Sequence, residues 1–128
     1  MKKIINTDKA PAPVGPYNQS VRFGDMLLVS GQIAIDPSTG ALVDGNIEEE
    51  TRQVMKNLQA ILSEAGLSFE DVLKCSVFVS DMNNYSRINS VYADYFKEDT
   101  APARELVEVA NLPKFVNIEI SLIAGFNN

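Results

Sequence analysis

Asn46-Ile47-Glu48-Glu49-Glu50-Thr51-Arg52-Gln53-Val54-Met55-Lys56-Asn57-Leu58-Gln59-Ala60-Ile61-Leu62-Ser63-Glu64-Ala65-Gly66 is the longest periodic stretch of the chain. Ile47, Val54, Leu58, Ile61, Leu62 and Ala65 recur at three- and four-residue steps, which predicts an amphipathic helix over about 47–65. Asn46 followed by Glu49 is a capping-box pattern, the three glutamates suit the positive helix end, and Gly66 stops the helix. The flanking segments alternate with period two instead. Upstream lies a short strand at 3–6, then strands at 20–23 and 26–30 around the hairpin turn Gly24-Asp25. Downstream, 72–80 reads as a strand with Leu73, Cys75, Val77 and Val79 on one face. Ile88, Val91, Tyr92, Tyr95 and Phe96 form a second helical stripe over about 84–97. Strands follow at 106–109 and 117–124, the last with Ile118, Ile120, Leu122 and Ala124 on one face and Glu119 and Ser121 on the other. Strands, helix, strand, helix, strands predict an α+β fold with both helices on one face of a mixed sheet. The other face, carrying Val, Phe and Ile, then needs a partner, so homo-oligomerisation is expected.

At 128 residues the chain is expected to form one domain, 1–128. Its net charge of −6 argues against general nucleic-acid binding, which needs a basic face. Cys75 has no second cysteine to pair with and sits in an apolar alternating run. A buried, reduced thiol and a cytoplasmic setting are expected. No signal-peptide pattern follows the N-terminal Met-Lys-Lys, and no apolar run approaches the ~20 residues of a spanning helix. With no histidine, Ser-His-Asp, Cys-His and Cys/His zinc arrangements are excluded, and no clustered carboxylate loop suggests a metal.

Ala101-Pro102-Ala103-Arg104 holds one of four arginines in a stiff local sequence, because Pro102 fixes its own φ and biases Ala101 to extended shapes. A guanidinium presented there can grip a carboxylate through two parallel hydrogen bonds. The alternative is a structural ion pair with Glu105 or Glu108.

Further segments carry a resemblance. Ala12-Pro13-Val14-Gly15-Pro16-Tyr17-Asn18-Gln19, Leu28-Val29-Ser30-Gly31-Gln32 and Asn89-Ser90-Val91-Tyr92 occur in order. They are followed by Pro102-Ala103-Arg104-Glu105-Leu106-Val107-Glu108-Val109-Ala110-Asn111-Leu112-Pro113 and Asn117-Ile118-Glu119-Ile120. Together these resemble the RidA/YjgF family of small enamine/imine deaminases over nearly the whole chain. The resemblance implies a chorismate-mutase-like homotrimer whose three sheets form a central barrel, with ligand pockets between subunits. It also implies a cofactor-free hydrolysis of reactive enamines and imines, 2-aminoacrylate/2-iminopropanoate and 2-iminobutanoate, to 2-oxoacids and ammonia. No metal, nucleic acid or membrane is implied as partner.

The implied catalytic residues are Arg104, Glu119 and Ser30, and the implied substrate-binding residues are Tyr17, Gly31, Asn89, Arg104 and Leu106. Leu106 departs from the family, which often has a cysteine two residues after the arginine. Arg104 would pair with the substrate carboxylate. Glu119, in a partly buried pocket, would have a raised pKa and trade protons with water. Each residue also has a plainer reading: Tyr17 a packing anchor, Ser30 a strand-end hydroxyl bonded to its own backbone, Gly31 a bulge, Asn89 a polar helix residue, Glu119 a solvated strand residue. The rival functions are a non-catalytic trimeric binder of 2-oxoacids or similar carboxylates, which Leu106 favours, and an RNA-cleaving translation inhibitor, which the acidic balance opposes.

Overall fold

The predicted helix is present as α1, Ile47–Glu64, in the computed structural model, which describes residues 1–127 of the chain. The Asn46 side chain accepts from Glu49 N–H at 2.8 Å, and Gly66 takes φ +78° to let the chain turn back. Six strands surround the helix in sequence: β1 Lys3–Ile5, β2 Ser20–Phe23, β3 Met26–Gln32, β4 Val72–Val79, β5 Ala103–Glu108 and β6 Ile118–Gly125. The second helix, α2, is Tyr85–Tyr92. The strands form one mixed sheet in the order β1-β2-β3-β6-β4-β5. Only β4 and β5 are parallel, as expected where a helix carries the chain across between them.

One face of the sheet carries the core. Leu27, Val29, Cys75, Val77, Ile118, Ile120 and Leu122 pack with Val54, Leu58, Ile61 and Leu62 of α1 and Ile88 and Tyr92 of α2. Both helices therefore lie on that side, as predicted. The opposite face leaves Met26, Leu28, Leu73 and Val107 between 44% and 55% exposed.

Three local expectations change. Leu73 is not on the core face: the β4–β6 register slips between Val72 and Lys74, so Val72 is buried and Leu73 turns outward. α2 stops at Tyr92, not near 97, because the next turns tighten into three-residue hydrogen bonds from Asp94 to Val91 and Tyr95 to Tyr92. Tyr95 and Phe96 still face inward, each 5.2 Å edge-on from Phe69. β5 begins at Ala103, so Arg104 lies inside a strand, opposite Cys75, instead of at a loop's end.

Candidate functional site

Glu119 follows from the alternation of β6. Its neighbours Ile118 and Ile120 are fully buried, so its carboxylate points to the face the helices leave bare. There β3 departs from regular pairing. Val29 pairs with Leu122 and Gln32 with Ile120, so Ser30 and Gly31 together oppose one residue. The bulge and the missing side chain of Gly31 make room for the carboxylate. A Cβ at position 31 would lie 2.8 Å from Glu119 Cδ and overlap one of its oxygens. Glu119 is half-buried, and burial raises its pKa above the ordinary carboxylate value.

Glu119, Ser30 and Gly31 line a cleft of about 630 Å³ together with Tyr17 and Lys114, walled by Pro11, Val14, Ile33, Ile35 and Pro113. The Ser30 hydroxyl donates to Asn18 O at 2.6 Å, which leaves its lone pairs as acceptors. The plainer reading of Ser30 as a hydroxyl bonded to its own backbone does not hold, because the bond is made across the hairpin to Asn18. Tyr17 is 48% exposed, and its hydroxyl accepts from Val14 N–H at 3.4 Å, folding the Pro-rich loop around its ring. That loop is tied from beneath by buried Gln19, whose amide nitrogen donates to the carbonyls of Thr7, Ala10 and Pro11. Lys114 sits in a turn where it and Phe115 both have φ of 55°, a left-handed pair costing about 1–3 kcal/mol per residue.

Arg104 lies elsewhere. In β5 it shares the helix-covered face with Leu106, and its guanidinium donates to Asn89 Oδ1 at 2.9 Å and to the Tyr85 hydroxyl at 3.1 Å. The Tyr92 ring lies 4.8 Å from the guanidinium carbon. Asn89 of α2 therefore touches Arg104 and is more than a surface residue. The alternative ion pair does not form: Glu105 binds Lys74 at 3.0 Å, and Glu108 accepts from Met82 N–H. Among the described residues Arg104 has no carboxylate partner. Arg104 and Asn89 line a second cleft of about 450 Å³ with Tyr92, Phe96, Glu98 and Pro102. Leu106 lines neither cleft; it packs half-buried against the core beside Val77.

The predicted residues thus fall into two groups on opposite faces of one sheet. Tyr17, Ser30, Gly31 and Glu119 meet on the bare face, and Arg104 and Asn89 on the helix side. Within one chain the sheet separates the guanidinium from the carboxylate.

Residues 7–126 match the protein family described as Endoribonuclease L-PSP. A RutC family protein of Pyrococcus horikoshii is 52% identical over 124 residues, covering 97% of this chain and 98% of that protein. A 2-iminobutanoate/2-iminopropanoate deaminase of Salmonella typhimurium is 47% identical over 126 residues, covering 97% and 98%. The crystal structure of a Rid family protein of Yersinia pestis, 47% identical, superposes with a TM-score of 0.95 over 98% of this chain and 99% of that one.

The chain belongs to the RidA/YjgF/RutC family. Two contributors to the Glu119 cleft carried no local signal in the sequence. Lys114 reads as an ordinary turn lysine. Gln19, although part of a family-like segment, shows its role only when the loop folds over it. Among the described residues no group of three or more His, Cys, Asp or Glu side chains is placed to hold a metal, and no helix is long and apolar enough to cross a membrane.

Proposed function

We propose that this RidA-family chain is a cofactor-free hydrolase of small 2-imino acids, including 2-iminopropanoate (in equilibrium with 2-aminoacrylate) and 2-iminobutanoate. Residues 1–128 act as one domain within a homotrimer. The bare sheet faces pack into a central barrel, which brings the Glu119 cleft of one subunit against Arg104 of the next. The observation that carries this reading is Glu119 itself, a half-buried carboxylate seated over Gly31 beside the acceptor lone pairs of Ser30. It occurs in a chain 47% identical to a protein named for this deamination.

The chemistry asks little of the protein. Arg104 pairs with the substrate carboxylate, held in place by Asn89 and Tyr85. Water held by Glu119 and Ser30 adds its oxygen to the imine carbon, and its proton goes to Glu119. The imine reacts in its protonated form, so this addition leaves a neutral amine. Glu119 returns its proton to that nitrogen, the C–N bond breaks with its electron pair leaving on ammonia, and the added hydroxyl passes its proton to the departing ammonia as its oxygen becomes the 2-oxoacid carbonyl. Protonated imine and water are consumed; 2-oxoacid and ammonium leave. Positioning of this kind can supply much of the acceleration. Leu106 supports the core beneath Arg104 and takes no chemical part.

The test couples a serine or threonine dehydratase to the purified protein and follows imine decay spectroscopically. Accelerated decay that Arg104→Ala and Glu119→Gln each abolish supports the reading. Unchanged decay with saturable 2-oxoacid binding by calorimetry selects the non-catalytic binder instead.

A further inference from the structure

Glu50 is a buried carboxylate that the hydrolytic mechanism leaves unused. It stands in the first turn of α1 and is 4% exposed. The described residues give it no ion-pair partner. Its neighbours behave differently: Glu48 reaches out to Arg87, and the Glu49 carboxylate lies over Gly45. Glu50 alone turns inward, where the positive end of the helix favours its charge.

Both of its oxygens go to one residue. Glu50 Oε2 accepts from the backbone N–H of Asn117 and Oε1 from the Asn117 side-chain amide, each at 2.8 Å. The other two polar groups of Asn117 face the end of β4. Ser80 N–H donates to its carbonyl and the Ser80 hydroxyl to its Oδ1, both at 3.1 Å. Asn117 is thus gripped at all four polar groups. It stands between the left-handed pair Lys114-Phe115 and Glu119, two residues further along. A carboxylate suits this place because it accepts from two donors without having to offer one.

We propose that Glu50 is a positioning residue: through Asn117 it fixes the start of β6 and so seats the Glu119 carboxylate over Gly31 and Lys114 at the cleft. The proposal rests on the hydrolase reading for its kinetic consequence but not for its structural one.

The test uses a reciprocal swap in the full-length chain. Asn117→Asp sets a second carboxylate against Glu50. Glu50→Gln/Asn117→Asp restores complementarity, since the introduced glutamine can accept from the backbone N–H and donate to the new carboxylate. Turnover of the single variant should fall on the order of 10- to 100-fold with KM little changed, because Arg104 is untouched, and the double variant should recover most of it. Glu50→Ala supplies a readout independent of activity. Carbon-13 NMR titration of the Glu119 carboxyl should show its midpoint falling toward the ordinary value once the strand start is released, and hydrogen exchange at the Asn117 amide should accelerate. A double variant as impaired as the single one, or a Glu119 midpoint unmoved in Glu50→Ala, overturns the proposal. If the unmodified protein has no imine hydrolase activity, the hydrolase reading fails, and the titration and exchange still decide the positioning role.

Discussion

Gly31→Ala isolates the close approach between β3 and Glu119. Gly31 is not in the left-handed region, so the added methyl group costs nothing through the backbone; its whole effect is steric. The new Cβ would lie 2.8 Å from Glu119 Cδ and 3.0 Å from Cγ, where carbon atoms at rest prefer roughly 3.5–4.0 Å. The carboxyl group must therefore retreat by about 0.7 Å or more, and the overlapped oxygen further. Because it is the end of a flexible side chain, it can do so at an off-rotamer cost of about 0.5–1.5 kcal/mol. Displacements near 1 Å cost ~100-fold in rate, so imine turnover should fall on the order of 10- to 100-fold while the melting temperature drops by only a few degrees. Gly24→Ala is the matched control. Nothing lies within 4 Å of its Cβ, but φ is +60°, so the change should cost roughly 1–2 kcal/mol of stability and leave turnover intact. The assay is steady-state imine hydrolysis alongside thermal unfolding for both variants. Full turnover by folded Gly31→Ala would refute the reasoning, since the carboxylate would then not need the place the bulge makes for it.

Subunit sharing predicts complementation. Arg104→Ala and Glu119→Gln chains, each inactive alone, should regain about one quarter of normal activity after co-refolding, because random assembly leaves that share of interfaces with both residues intact; no recovery would place both groups in one subunit. The pH profile follows from the direction of the Glu119 shift. Burial raises its pKa above 4.5, so the proton-accepting form is lost as pH falls through that raised value, and kcat/KM should decline along an acid limb centred above 4.5 that vanishes in Glu119→Gln. The stability sign is opposite: a raised carboxyl pKa favours the fold when protonated and disfavours it once pH rises through the folded value. Glu119→Gln should therefore melt no lower than the unmodified protein at neutral pH.

What could be read from sequence depended on how local the cause was. α1 announced itself through spacing, cap and terminal glycine, and the β2–β3 hairpin through Gly24-Asp25, all decided within a few residues. The placement of Glu119 opposite the Ile118–Ile120 stripe was equally legible, because strand alternation is strict. The bulges were not. Leu73 and Val72 are both apolar, and only the pairing of β4 with β6 decides which is buried. Arg104 was legible as a presented cation, but its partners Asn89 and Tyr85 belong to a helix that reaches it only through tertiary packing. Glu50 was hidden most completely. Three consecutive glutamates at a helix start have a sufficient local explanation in the helix dipole, and the partner that singles one out lies 67 residues away.

The proposed assembly makes stability and chemistry draw on the same surface. Met26, Leu28, Leu73 and Val107 expose enough apolar side chain to favour burial against another copy, and Glu119 projects from that face. Packing the bare faces together in the proposed trimer removes water from around Glu119 and pushes its pKa further up, which favours the protonated carboxyl. The guanidinium that the neighbour brings acts in the opposite sense, favouring the ionised carboxylate. When a substrate carboxylate occupies Arg104, most of that compensating charge is spent on the substrate, and the basicity of Glu119 rises at the moment a proton must be taken from water. In the proposed trimer, substrate binding at Arg104 of one subunit would thereby tune the proton acceptor on the other.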